Sequence, residues 1–348
     1  MSRIVIGLGL CLLAVGFSET SWATELRVVS LNTKQLPSSP QRVERLVGLL
    51  RLLADRSFDH HLVALQEFYF NPVTDKHLLK TLVAAVQDKY EIFTGVPWHG
   101  KPEHDRYKAK LGGSGLTLLV RKDLKVLSRH AEPWRKAVFM DDIAQKGFLR
   151  VTLGLPGGQR LHLVAVHLNA MFPGRDYADL LKNLTFGVKT LPEELFLGEV
   201  VQRDQINQLA QHLETLPAGD TQLLLGDFNV ISTREYPEHP FLTMPIRQCY
   251  RRMLERLKAV DLWAVLHPGM DEPGFTIDPS LNPMAFQVPK SLRLLYPDKT
   301  RIDYFLLRDP ANTLRPLGLE VAFSSIVPFP NGEGFVSDHF GLLGRFAY

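Results

Sequence analysis

The sequence predicts an α/β fold, with packed sheets covered by helices in a single domain spanning residues 24–348. Three observations carry that expectation. Short apolar runs that stop on turn residues alternate with longer stretches whose apolar residues recur at helical spacing. Several short runs lie close enough in sequence to pair as hairpins, which favours packed sheets with helices outside. No internal repeat, low-complexity stretch or linker divides the chain.

Composition is ordinary for a globular protein, with 45% hydrophobic and 22% charged residues. The formal net charge of +3 announces no strongly basic stripe, which weakens a nucleic-acid-binding reading without removing it. At the N-terminus, Arg3 precedes an apolar run from Ile4 to Phe17, and small residues flank Trp22 in Ser21-Trp22-Ala23. That pattern predicts a secretory signal peptide over residues 1–23, cleaved after Ala23. The run is shorter than the roughly 20 apolar residues needed to span a bilayer. The expected product is exported, periplasmic or extracellular, and keeps one cysteine, Cys249, so it has no internal disulfide.

From the N-terminus, "LRVVSLN" (26–32) reads as a strand, "RVERLVGLLRLLADR" (42–56) as a helix and "LVALQE" (62–67) as a second strand. A helix is predicted over 77–90. Strands follow at 115–121, 148–155 and 161–169, the last two joined through the turn "GGQR" (157–160). A helix over 199–216 precedes "LLLGDFNV" (223–230), in which three leucines run into Gly226, Asp227, Phe228 and Asn229. The remainder reads as a helix over 252–266 and strands at 301–308 and 340–348.

The informative regularity is where these strands stop. Asn32 ends the first, Glu67 the second, His167 and Asn169 close the hairpin strand, and Asp227 and Asn229 follow the leucines. Asp303 sits at the head of a strand, and Ser337-Asp338-His339 precedes the last one. Gly, Asp and Asn are ordinary turn formers, but six strand ends carrying only hard oxygen donors and imidazoles point to a site. Without a cysteine cluster, those donors favour Mg²⁺, Mn²⁺ or Ca²⁺ over structural zinc.

In chain order, "SLN", "LQE", "SGLTLLVR", "VHLNA", "GDFN", "RIDYFLL" and "SDH" resemble the endonuclease/exonuclease/phosphatase superfamily, the deoxyribonuclease I-like proteins. The resemblance implies a four-layered α/β sandwich, with two central, mostly antiparallel sheets packed face to face and helices outside. It also implies a divalent-metal-dependent phosphoric ester hydrolase, with Mg²⁺ favoured. Carried onto matching positions, Glu67 is the metal ligand with Asn32 beside it, and Asp338 a secondary ligand. His339, oriented by Asp303, is the favoured general base or a phosphate contact, and Asp227 positions or deprotonates the attacking water. Asn229 and His167 donate hydrogen bonds to charge building on phosphorus.

Within that superfamily, "DDIAQKG" (141–147), "REYPEHPFL" (234–242), "AVDLW" (259–263) and "GFTIDPSLN" (274–282) are similar to elements of the sphingomyelinase branch. The favoured substrate is therefore a sphingomyelin-like phospholipid at a membrane surface. A secreted endonuclease acting on DNA is the alternative, followed by a phosphatase or a non-catalytic binding module. No obligate protein partner is implied. Lys146 alone would read as a solvated charge; the resemblance moves it near the phosphate. Arg203 stands one residue away from the position where the branch carries arginine, about 100° around a helix. Insert regions at 99–110, 171–198 and 326–335 are candidates for substrate contact.

Overall fold

The computed structural model describes residues 24–36, 39–69, 76–94, 114–138, 141, 144–170, 197–239, 249–269, 271–288, 293 and 296–348. The predicted signal peptide, the insert at 99–110 and nearly all of that at 171–198 lie outside the described residues.

Strand pairing builds two six-stranded sheets. The first runs β11 (Arg315–Ala322), β14 (Gly341–Ala347), β1 (Glu25–Asn32), β2 (Leu62–Gln66), β4 (Thr117–Arg121) and β3 (Tyr90–Thr94). The second runs β5 (Lys125–Pro133), β6 (Gly147–Gly154), β7 (Arg160–His167), β8 (Thr221–Asp227), β10 (Asp303–Arg308) and β9 (Val260–Asp261). Each sheet contains one parallel pair, β1 with β2 and β7 with β8, and is otherwise antiparallel. A small hairpin, β12 (Val327–Phe329) and β13 (Gly332–Gly334), stands apart.

Alternation along the strands makes the layers. Leu26 and Val28, Leu161 and Leu163, and Leu223 and Leu225 all join the core between the two sheets. Their neighbours Val29, Leu31, Val63 and Leu65 face the other way, against Leu46, Leu49 and Leu53 of α1 (Arg42–Ala54) and Val86 of α2 (Lys76–Val86). On the second sheet Val164, Val166 and Leu224 pack on α3 (Leu197–Glu214) and α4 (Cys249–Leu257). Helix, sheet, sheet, helix is the four-layered sandwich expected. No helix among the described residues is long and apolar enough to cross a membrane.

Two expectations need correction. The helix predicted over 77–90 ends at Val86, and Tyr90 opens strand β3. The helix predicted over 252–266 is broken: Lys258 adopts φ 52°, β9 follows, and α5 (Leu262–Leu266) restarts with Asp261 accepting from the Trp263 amide at 3.0 Å. Helical spacing continued through both breaks, but a left-handed residue and a strand partner override it. Strands β5 and β11 carried no sequence signal; both are sheet edges with few buried side chains.

The first sheet includes one proton-sensitive tie. The Arg27 amide donates to Nδ1 of buried His61 at 3.0 Å, which requires a neutral ring. Burial, then Arg121 and Arg27, push His61 down to about 4. Its folded value lies below the ordinary 6.5, so the unfolded chain takes up the proton first as pH falls. The tie stabilises fully above pH 6.5 and is lost as pH approaches 4. Denaturant unfolding at pH 7 and pH 5 should show a loss of about 1–2 kcal/mol from this group. His61→Asn, which keeps an acceptor but no titration, should show a smaller acid loss; an equal loss would refute the assignment.

Candidate active site

The strand alternation that builds the inter-sheet core also builds the site. Asn32 continues the inward series of Leu26 and Val28, His167 that of Leu163 and Ala165, and Asp227 that of Leu223 and Leu225. Register then aligns them. His167 is the pairing partner of Asp227 on one side, and Asp303 is its partner on the other. The three polar residues form a row across β7, β8 and β10 at the edge where the apolar core stops.

Hydrogen bonds close the row onto the opposite sheet. Asn32 Nδ2 donates to Asp227 Oδ2 at 2.9 Å, bridging the two sheets, and the Asn229 amide donates to Asp227 Oδ1 at 2.8 Å. Asp303 Oδ2 lies 2.9 Å from His339 Nδ1 and turns the other ring nitrogen away from itself. Burial raises Asp227, but contact with His167 and the charges of His339 and Lys146 outweigh it and hold the carboxyl well below the usual range. Burial lowers His339, yet Asp303, Asp338 and Asp227 together raise it to about 10. Asp227 is therefore ionised and His339 an imidazolium at neutral pH.

Glu67 reaches the site by a different device. It follows the last residue of β2 with φ 50°, a left-handed conformation uncommon outside glycine, and its Oε1 lies 3.8 Å from His167 Nε2. Asn229 also has φ 50°; its Nδ2 donates to the Leu168 carbonyl at 3.1 Å. Gly226 carries φ 136°, and a Cβ there would sit 2.1 Å from the Val166 carbonyl oxygen. Phe228 points the opposite way into the outer core, edge-on to Tyr304 at 5.7 Å.

Two further sequence-predicted residues are committed to ion pairs. Asp338 Oδ2 pairs with Lys34 Nζ. Lys146 is 3% exposed, which overturns the solvated-charge reading; its Nζ pairs with Asp141 at 2.9 Å and donates to the Leu168 carbonyl at 3.2 Å. Arg203 is exposed on α3, while Gln202 and Gln205 beside it are buried. Gln202 Nε2 donates to the carbonyls of Asn169 and Asn229 at 2.7 and 2.8 Å, holding two strand ends together.

Sequence reading missed Lys34, Arg45 and Tyr69, and it quoted Asp141 within a motif without giving it a role. Buried Arg45 donates to the carbonyls of Thr33, Lys34 and Val336, which ties the loop after β1 to the segment before Asp338. The Tyr69 hydroxyl is buried without a hydrogen-bond partner, and burial, then Glu67, Asp141 and Asp227, raise it further above its usual range. A helical arginine and a tyrosine after a strand look like surface and core, so no local signal distinguishes them.

A metal fits the row. The donor atoms of Glu67, His167 and Asp227 lie within 4.8 Å of one another, and both ring nitrogens of fully buried His167 lack hydrogen-bond partners. A buried orphan beside two carboxylates is the kind of group a cation satisfies.

No protein-family model and no curated protein sequence matches the chain. Solved structures do. The chain superposes on D. rerio TDP2 complexed with a single-strand DNA product with a TM-score of 0.60 at 17% identity, covering 93% of this chain and 100% of that one. It superposes on sphingomyelinase C from Streptomyces griseocarneus at 0.58 and 18%, covering 92% and 99%. Beta toxin from Staphylococcus aureus gives 0.60 and 16%, covering 92% and 99%. This is the deoxyribonuclease I-like fold. In the deoxyribonuclease I-like fold of this chain, Asn32, Glu67, His167, Asp227, Asn229, Asp303 and His339 gather at one edge of the sandwich.

The close approach at Gly226 can be measured. Gly226→Ala must distort either the β7–β8 pairing or the turn, and should destabilise the protein by about 3 kcal/mol or more in denaturant unfolding. A loss under about 1 kcal/mol would show that the turn relaxes freely.

Proposed function

We propose that the protein is an exported, divalent-metal-dependent phosphodiesterase that hydrolyses a sphingomyelin-like phospholipid, releasing the phosphorylated headgroup and the lipid alcohol. The observation that carries the substrate class is an apolar rim. Leu281 and Phe286 are 63% and 46% exposed on a segment stitched to Ser337 and Phe340, the residues that flank Asp338 and His339. Asn282 Nδ2 donates to the Ser337 carbonyl at 2.8 Å, and the Phe340 amide donates to the Thr276 carbonyl at 2.8 Å. Large apolar side chains held beside a phosphate site suit a lipid surface. Both lysines next to the row, Lys34 and Lys146, are neutralised by carboxylates, which lessens the attraction for a polyanion. Likeness to sphingomyelinase C supports this reading, and likeness to TDP2 with its DNA product supports the alternative of a nuclease.

In this proposal Glu67 would hold the metal, with Asn32 beside it and His167 and Asp227 within reach. Mg²⁺ is favoured by the oxygen donors, and when bound the ion neutralises charge on the phosphoryl oxygens. Asp227, steadied by Asn32 and the Asn229 amide, orients the water that attacks phosphorus and takes its proton. The base is Asp227 rather than the His339 that the resemblance favoured, because Asp227 is ionised while Asp303, Asp338 and Asp227 keep His339 protonated. His339, fixed by Asp303, offers its other nitrogen to a phosphoryl oxygen as a cation. Asn229 spends its side-chain amide on the Leu168 carbonyl and so acts by fixing the turn that carries Asp227, while the partnerless ring nitrogens of His167 are left to the metal or the phosphate. Export rests on the sequence of residues 1–23.

Glu67→Gln should fold with an unchanged far-UV spectrum and lose at least about a hundredfold in Mg²⁺-dependent hydrolysis; full activity would remove Glu67 from the metal site. Chelation with EDTA should silence the wild type, and Mg²⁺ should restore it. Substrate class is tested by offering sphingomyelin vesicles and supercoiled plasmid in parallel. Phosphocholine release is expected, whereas nicked plasmid with untouched lipid would reverse the assignment. Phe286→Asp should slow hydrolysis on vesicles while leaving a small soluble phosphodiester unaffected.

A further inference from the structure

A second group of potential ligands lies outside the candidate active site, between edge strand β5 and the last turn of α3. His130 and Glu132 are two residues apart on β5 and share a face, and His212 approaches from the helix. Their donor atoms lie within 4.8 Å of one another. His130 Nε2 is 3.3 Å from Glu132 Oε2. Gln208 Nε2 donates to the other oxygen, Oε1, at 2.8 Å and to the Pro133 carbonyl at 2.9 Å, so the carboxylate is held with Oε2 toward the imidazole.

The third member shows the need. His212 Nε2 is buried and has no hydrogen-bond partner. An unsatisfied buried nitrogen is costly and rare, and here it stands beside a carboxylate and a second imidazole. The two rings stack at 4.5 Å with 13° between planes, and Phe148 packs against both. Two cations compete: Arg150, the cross-strand partner of His130, points its Nη1 to Thr152 Oγ1 and His162 Nδ1 at 3.3 and 3.4 Å, and Arg135 Nη2 lies 4.0 Å from Glu132 Oε1.

We propose that His130, Glu132 and His212 form a second metal site, selective for a nitrogen-preferring divalent cation such as Zn²⁺, that fastens edge strand β5 to α3. Two imidazoles and one carboxylate suit Zn²⁺ rather than Mg²⁺, with solvent as the fourth ligand because His130 and Glu132 are partly exposed. Stacked rings direct their lone pairs in parallel, so loading must splay them until the nitrogens converge. The site lies on the opposite face of the second sheet from the His167–Asp227–Asp303 row. It contributes to stability, not to the reaction.

The test uses the full chain carrying Glu67→Gln, stripped with EDTA and titrated with Zn²⁺ by calorimetry and with Co²⁺ by visible absorption. One Zn²⁺ per chain with micromolar or tighter affinity is expected, with an intense tetrahedral Co²⁺ spectrum and a rise in melting temperature. His212→Ala and, on the partly exposed edge strand, His130→Ala should each abolish all three signals. Absence of binding in the chain with all three ligands would overturn the proposal. So would unchanged Zn²⁺ binding in either histidine variant, which would place the ion elsewhere.

Discussion

The two-residue period of the β-strand is the constraint on which the site depends. Side chains that fill the space between the sheets recur at every second position, and the same positions carried one step further hold Asn32, His167, Asp227 and Asp303. The apolar core and the polar row are thus one surface with a change of chemistry at its end. A one-residue slip in β8 would send Asp227 toward α3 and Phe228 into the space between the sheets. The hydrogen bond from Asn32 to Asp227 pins the two sheets together where the apolar contacts give out.

Burying this many charges is tolerable because each is opposed. Asp303 faces His339, Asp338 faces Lys34, Lys146 faces Asp141, and Asp227 receives two amide donors as well as the field of two histidines. Removing one partner of such a pair leaves a buried charge uncompensated, which costs more than the pair contributes. Backbone strain is concentrated at the same edge, with Glu67 and Asn229 in left-handed conformations and Gly226 pressed against β7. The surroundings hold it in place: Gln202 clasps the carbonyls of Asn169 and Asn229, and the Trp134 indole donates to the His167 carbonyl at 2.7 Å.

Further out, a buried ion network steadies the strand that carries Asp303. Arg301 donates to Asp261 at 2.8 Å and to Glu235 at 2.9 Å, so the segments containing Glu235 and Asp261 act through Arg301. Thr276 does similar work from the other side, its Oγ1 accepting from the Ile302 and Asp303 amides at 3.3 and 3.4 Å. These contacts join residues 26–66 positions apart in sequence, so the rigidity of the site belongs to the tertiary structure.

Central strands and the polar residues at their ends were legible in the sequence because a strand buried on both faces is apolar throughout and stops abruptly, as at Leu225 before Gly226 and Asp227. Edge strands were not legible. Strands β3, β5, β9 and β11 pair on one side only, and solvent on the other lets them be polar and irregular. The sequence by itself determined the central strands and the chemical types of the site residues at their ends, since these follow from local periodicity, while the four layers came from the likeness of its ordered motifs to a known family. Only the tertiary structure decided that Asp338 is answered by Lys34, that Lys146 is buried on Asp141, and that His212 meets His130 and Glu132. Pairing and protonation depend on which distant groups share a low-dielectric space, and no local pattern records that.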